Sequence, residues 1–201
     1  MKLFFSIFSY IFHPLFISFY TIVFYKFSNT EFFLCRYCID YIYKAFIITI
    51  LIPIAIFYFL IRFKKIEDAM IGNINERKIP LVLQLILYGI IMCFLVNTDE
   101  APELLDYFLA NSMSTFIAFC FIFLNKKISL HMLSIVSTSL WISFYCSKLN
   151  FISFFILIHV LFILTVSVGI SRLIMKAHTP IELIQGSIIG AIPQLFLILY
   201  R

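Results

Sequence analysis

The chain has 201 residues, 63% hydrophobic and 12% charged, with a formal net charge of +5. A soluble domain is about 25% charged, so these few polar residues cannot clothe a water-facing surface, which excludes a soluble enzyme and a disordered tail. The basic residues are scattered between long apolar runs, so the positive charge argues for no nucleic-acid partner. What remains is one integral membrane domain over 1–201, surrounded by membrane lipids.

A helix needs about 20 apolar residues to cross the hydrocarbon core. Seven runs predict spans: 3–25, 42–62, 79–96, 104–124, 128–147, 150–171 and 181–200. The first follows Met1-Lys2. It is too long for a signal-peptide core and lacks a small-residue cleavage site after Tyr25, so it reads as retained. Cys35 and Cys38 form a lone CxxC between the first two runs, which is an incomplete zinc site, and the cysteines imply no disulfide framework. The run at 104–124 carries Asp106 and Asn111 and is the weakest, so the count is about seven spans, or six without it. Asp99, Glu100, Glu103 and Asp106 read as a solvated acidic connection. Trp141 and the abundant Tyr and Phe suit interfaces and helix packing. His159, mid-span, is expected to be neutral and hydrogen-bonded between helices. Gly186 and Gly190 place a Gly-x-x-x-Gly in the last run, a signal for close helix contact. The runs lack the alternation of a membrane β-barrel. The predicted fold class is an all-α polytopic transmembrane bundle.

Seven spans put the N-terminus and the connections near 63–78, 125–127 and 172–180 on one membrane face. Basic residues are more numerous there, which by the positive-inside bias would make it cytoplasmic. If Arg77, Lys78, Arg172 and Lys176 serve a site, that bias disappears and the sidedness is open.

Three polar clusters fall on this one face, and each stands at a helix start or end. They are Glu76-Arg77-Lys78-Ile79-Pro80, Lys126-Lys127-Ile128-Ser129-Leu130-His131, and the stretch from Ser171-Arg172 through Ala177-His178-Thr179-Pro180 to Glu182. Bland readings exist for every member. Arg and Lys at span ends, Lys126 and Lys127 among them, anchor in headgroups. Ser129 suits a plain N-cap, and Thr179-x-x-Glu182 with Pro180 between them is a capping box. Capping leaves the convergence of two histidines and several cations unexplained. Phosphoryl transfer explains it: cations for the phosphoryl oxygens, an imidazole to attack phosphorus, a carboxylate to fix its tautomer, and a second imidazole to protonate the leaving oxygen. The acids of this face (Glu67, Asp68, Glu76 and Glu182) form no tight cluster, so neither a metal nor a cofactor is expected.

The third cluster resembles the Ser-Arg-x5-His-x3-Asp signature of the type 2 phosphatidic acid phosphatase superfamily, with Glu182 in place of Asp. Ile128-Ser129-Leu130-His131 resembles that family's Pro-Ser-Gly-His motif, keeping Ser and His. Arg77-Lys78-Ile79-Pro80 resembles a reduced Lys-x6-Arg-Pro motif, with Met70 where the Lys would stand. His13-Pro14 and the Ala177-His178-Thr179-Pro180 string resemble a divergent bacterial branch with shortened motifs. The likeness covers about 70–200. It implies a metal-independent lipid phosphatase in a bacterial inner (cytoplasmic) membrane, acting on phosphatidic acid, a polyprenyl diphosphate or a lipid A phosphate. In it, His178 is the nucleophile that becomes phosphohistidine, Glu182 orients it, and His131 is the general acid. Arg77, Arg172 and Ser129 hold the phosphate, with Lys78 standing in for the missing lysine. The alternative reading is a non-enzymatic membrane protein, either a headgroup-binding carrier or a catalytically degenerate relic. Homo-oligomerisation is left open.

Overall fold

The computed structural model describes residues 2–28, 38–68, 70–98, 101–149 and 154–200. Cys35, Asp99 and Glu100 lie outside them, as does the Cys38 side chain. All regular structure among the described residues is helical: α1 (Lys2–Ile11), α2 (Pro14–Ser28), α3 (Cys38–Phe46), a π-helical turn (Ile47–Leu51), α4 (Ile52–Arg62), a 3-10 turn (Asn75–Arg77), α5 (Lys78–Thr98), α6 (Pro102–Phe123), α7 (Leu130–Lys148), α8 (Phe154–Ile174) and α9 (Pro180–Tyr200). Among the described residues, six helical stretches are long and apolar enough to cross a membrane, or seven if the bent pair α1–α2 counts as one. The protein is an all-α polytopic membrane bundle. The 104–124 run, the weakest by sequence, forms a helix (Pro102–Phe123) long and apolar enough to cross.

The first run departs from a single straight span. Its two helices meet at 57°, because Pro14 has no N–H to give and restricts His13 before it to non-helical backbone. His13 then starts α2: its Nδ1 accepts the Leu15 N–H at 3.4 Å. A second irregularity has the same cause. Pro53 cannot donate to the Thr49 carbonyl, and the ladder opens into the π-helical turn just before it.

The bundle is held by backbone proximity and by short polar bridges, as expected where lipid removes the hydrophobic drive between helices. α7 packs most extensively on α9, and it is the most deeply buried span. A Cβ placed on Gly186 would overlap the Ser129 carbonyl oxygen, and one on Gly190 the Leu133 carbonyl oxygen. The two glycines therefore let the α9 backbone lie directly on the start of α7, as the Gly-x-x-x-Gly predicts. Pro193 leaves the Ile189 carbonyl without its helical donor, and Ser114 Oγ of α6 donates to it instead at 2.8 Å. Further bridges join Tyr88 to Ser18 (3.1 Å), Tyr107 to Thr138 (2.9 Å) and Ser139 to Thr165 (3.2 Å).

At the far end of the bundle, Trp141 stacks on Tyr145 with centroids 5.1 Å apart, and its indole N–H donates to the Glu103 carbonyl at 3.0 Å. The Glu103 carboxylate accepts the Tyr25 hydroxyl at 2.7 Å, so this acid is a helix tie as well as part of the acidic connection. His159 corrects its expectation. Its Nδ1 lies 2.6 Å from the Phe155 carbonyl of its own helix, and the ring is exposed on the outer face, so it bridges no helices.

Gly190→Ala should cost about 1–3 kcal/mol, because the added methyl must push two backbones apart. Gly89, with open space around its Cβ position, should tolerate alanine without loss. Thermal midpoints of the two variants in detergent, measured side by side, check this.

Candidate active site

The three sequence clusters and α1 converge at the end of the bundle where α7 and α9 begin. Ser129 caps α7, its Oγ accepting the Met132 N–H at 3.4 Å, while its own N–H donates to the Glu182 carbonyl at 3.2 Å. The starts of the two helices are thus tied backbone to backbone. This fixes His131, two residues into one helix, relative to His178, two residues before the other.

Glu182 performs both duties that compete for it. Its N–H donates to Thr179 Oγ1 at 3.3 Å, and its Oε2 accepts the Thr179 N–H at 3.4 Å, a reciprocal capping box. The same Oε2 lies 2.6 Å from His178 Nδ1. A carboxylate only accepts, so Nδ1 carries the proton and Nε2 keeps the lone pair. His178 is buried. That burial, then the charges of Arg77, Lys127 and Arg172, push its pKa well below the usual imidazole range. The ring is neutral at neutral pH, with a nucleophilic nitrogen. Among the described residues, no group is hydrogen-bonded to that Nε2.

Arg77 and Arg172 are each 4% exposed. Arg77 donates from Nε to the Ile71 carbonyl at 3.1 Å and from Nη1 to the Ile128 carbonyl at 2.6 Å. Ile71 adopts φ 45°, a left-handed conformation that a β-branched side chain rarely takes. It is held there by Asp68 Oδ1, which accepts its N–H at 2.9 Å, and by Arg77 at its carbonyl. Arg172 Nη1 lies 3.6 Å from Met70 Sδ, and Arg172 Nε is buried with no acceptor among the described residues. A buried guanidinium with an unused donor suits an anion.

Two adjoining cavities meet at Met70, Arg77 and His178. The outer one, about 360 Å³, is the more polar of the two and takes Arg172, Lys127, Ser9 and Tyr10 into its wall. The inner one, about 70 Å³, is mostly apolar and takes His131 and His13. The rings of these two histidines stand edge to face, 5.3 Å apart. His131 Nε2 lies 3.2 Å from the Ser9 carbonyl, which accepts its N–H. Ser171 Oγ donates to the Phe5 carbonyl at 3.0 Å and shares a hydrogen bond with Ser9 Oγ. α1 is thereby fastened over the site by α7 and α8.

Of the residues predicted from sequence, His178, His131, Arg77 and Arg172 line these adjoining cavities, and Glu182 touches His178. Ser129 is fully buried as a cap and lines neither cavity. Lys78 stands apart: it is exposed, with its ammonium over the Phe123 ring at 5.7 Å. Lys127 occupies the wall instead and donates to the Ala177 carbonyl at 3.0 Å. Burial first, then the neighbouring Arg77 and Arg172, lower its pKa. Sequence spacing gave no signal for Lys127 over Lys126, since only the turn after α6 decides which of the two faces inward. Met70, where the resemblance leaves a lysine missing, does reach the cavities. No family model, curated protein or solved structure gives a significant match to this chain.

Binding of orthophosphate to the detergent-solubilised protein, followed by calorimetry, should weaken about tenfold in Lys127→Met and stay unchanged in Lys78→Met. Acid should also destabilise the fold through His178. The native pKa lies below the unfolded value of about 6.5, so the unfolded chain binds the extra proton first. The stabilisation is complete above about pH 6.5 and is lost progressively below it. The fall in thermal midpoint between pH 7 and 5 should be shallower in His178→Asn.

Proposed function

We propose that this protein is a membrane-embedded, metal-independent lipid phosphatase of the type 2 phosphatidic acid phosphatase kind, working through a phosphohistidine. The observation that carries the reading is His178: a buried neutral imidazole, its Nδ1 proton given to Glu182 and its Nε2 lone pair unused, set among Arg77, Lys127 and Arg172.

The chemistry follows from these groups. The His178 Nε2 lone pair forms a bond to phosphorus as the bond from phosphorus to the lipid oxygen breaks. The bound phosphoryl anion favours the protonated form of His131 beside it, and that ring then gives the leaving oxygen its proton, a role worth about 10²–10⁴-fold. The Ser9 carbonyl keeps a proton on His131 Nε2, which leaves Nδ1 to carry the mobile one. Glu182 stabilises the positive charge that develops on His178. Water then attacks phosphorus and gives its proton to His131, and the N–P electron pair returns to Nε2. The products are a free alcohol and orthophosphate. Arg172, with its unused Nε, and Lys127 hold the phosphoryl oxygens in the outer cavity. The host is a bacterial inner membrane, as the resemblance implies.

A second reading draws on Arg77, whose Nε and Nη1 are already spent on two carbonyls. It makes the site a headgroup-binding pocket without turnover, in a carrier or a degenerate relic.

Phosphate release from a panel of lipid phosphates, with chelator present, separates the two. Turnover is expected on the first reading; bound but unhydrolysed lipid would establish the second. His178→Ala should abolish both turnover and the covalent phosphoenzyme. Glu182→Gln keeps the cap, so it should lower turnover by up to about 10⁴-fold while the thermal midpoint barely moves. Parental turnover in Glu182→Gln would remove the carboxylate from the mechanism.

A further inference from the structure

Met70 lines both cavities, and its backbone is fixed on either side. Asp68 Oδ1 accepts the Met70 N–H at 2.8 Å and the Ile71 N–H at 2.9 Å. Ile71 is held at φ 45°, and its carbonyl accepts Arg77 Nε–H at 3.1 Å. A left-handed β-branched residue persists only where its surroundings over-determine it, so the loop aims Met70 with little freedom at the main chain. The side chain so aimed is half-buried, and its Sδ lies 3.6 Å from Arg172 Nη1. A thioether is only a weak acceptor. It leaves the guanidinium largely unmatched, and the buried Arg172 Nε has no acceptor at all among the described residues.

Oxidation would change that partner. The Met70 sulfur lone pair attacks one oxygen of a peroxide, the O–O bond breaks, and hydrogen peroxide leaves as water. The sulfur is oxidised to the sulfoxide and the peroxide is reduced, with no other reactant needed. The thioether has become a polar group with a strong acceptor oxygen. That oxygen is carried on a flexible side chain by an atom already beside Arg172. It takes the donors that a phosphoryl group requires, inside the cavity that the phosphoryl group enters. Access is not obstructed: the exposed residues Asp68, Gly72 and Lys176 line the same outer cavity, so a small peroxide reaches the sulfur from water. Met175, just past the end of α8 and 37% exposed, is the other methionine of that cavity, and it does not line the inner one.

We infer that Met70 is an oxidation site that closes the anion site: as the sulfoxide it occupies the Arg172 guanidinium, and as the thioether it leaves that guanidinium open to phosphate. The inference rests on the anion site, which the phosphatase and headgroup-binding readings share, so its test reads binding and not turnover.

The full-length protein in detergent is treated with hydrogen peroxide. Peptide mass spectrometry locates the added oxygen, and calorimetry follows orthophosphate binding. Protein carrying the sulfoxide at Met70 should show a Kd for orthophosphate raised at least about tenfold, as expected for a charged hydrogen bond lost to a competitor. Met70→Leu and Met175→Leu are treated alongside, each compared with its own untreated sample. Met70→Leu should keep its starting affinity, and Met175→Leu should lose affinity as the parent does. Met70→Gln, which sets an amide oxygen near the same place, should bind orthophosphate weakly without any peroxide. Unchanged affinity after oxidation at Met70, an equal loss in Met70→Leu, or oxidation of Met175 that leaves Met70 untouched would each overturn the inference and leave the anion site standing. Untreated protein that binds no orthophosphate overturns both.

Discussion

Everything at the candidate site depends on how closely the backbones of α7 and α9 approach each other. Two glycines remove the side chains that would hold them apart, and the Ser129 N–H closes the contact on the Glu182 carbonyl at 3.2 Å. The approach is a matter of van der Waals fit, which is what drives helix association where the solvent is itself hydrocarbon. It also positions the two histidines. One follows the first helix start and the other precedes the second, so the backbone contact sets where they stand relative to each other. A looser interface built on leucines would keep the bundle and lose the site.

A few polar groups at the site each hold more than one partner. The Glu182 carboxylate caps a helix and holds an imidazole with the same oxygen. Arg77 fastens the strained loop at Ile71 and the Ile128 carbonyl while lining both cavities. Such economy suits a membrane protein, where every buried polar atom is costly and must find a partner. Arg172 departs from that economy at the site, as Ser112 Oγ does elsewhere among the described residues: its buried Nε has no acceptor, and such a donor suits an anion.

Much of this was legible in the sequence, for identifiable reasons. Span existence follows from run length alone, and the Gly-x-x-x-Gly foretold a contact because only glycine permits it. The polar clusters could be gathered on one face because span parity carries that information. Three features were not legible. The bend at His13-Pro14 hides inside a run whose hydropathy never falters, so it needed the missing N–H of proline to be weighed above apolarity. Lys127 and Lys78 both border spans at the right face, and only the turn that follows α6 turns one inward. His159 found its partner four residues back in its own helix, a local option that hydropathy cannot separate from an interhelical bond. The capping and catalytic readings of Glu182 looked exclusive in sequence because one side chain was assumed to hold one partner.

The fastening of α1 has a consequence for how the protein is made. Ser9 meets His131 and Ser171 across 122 and 162 residues, and Phe5 meets Ser171 across 166. His178 and Glu182 arrive later still, at the start of α9. Synthesis therefore delivers segments made far apart in time to the same cavity. A chain that has not yet made α9 carries Arg77, Lys127 and Arg172 without the His178–Glu182 pair. The cavity is completed only when α9 seats, so the order of synthesis is also the order in which the site is assembled.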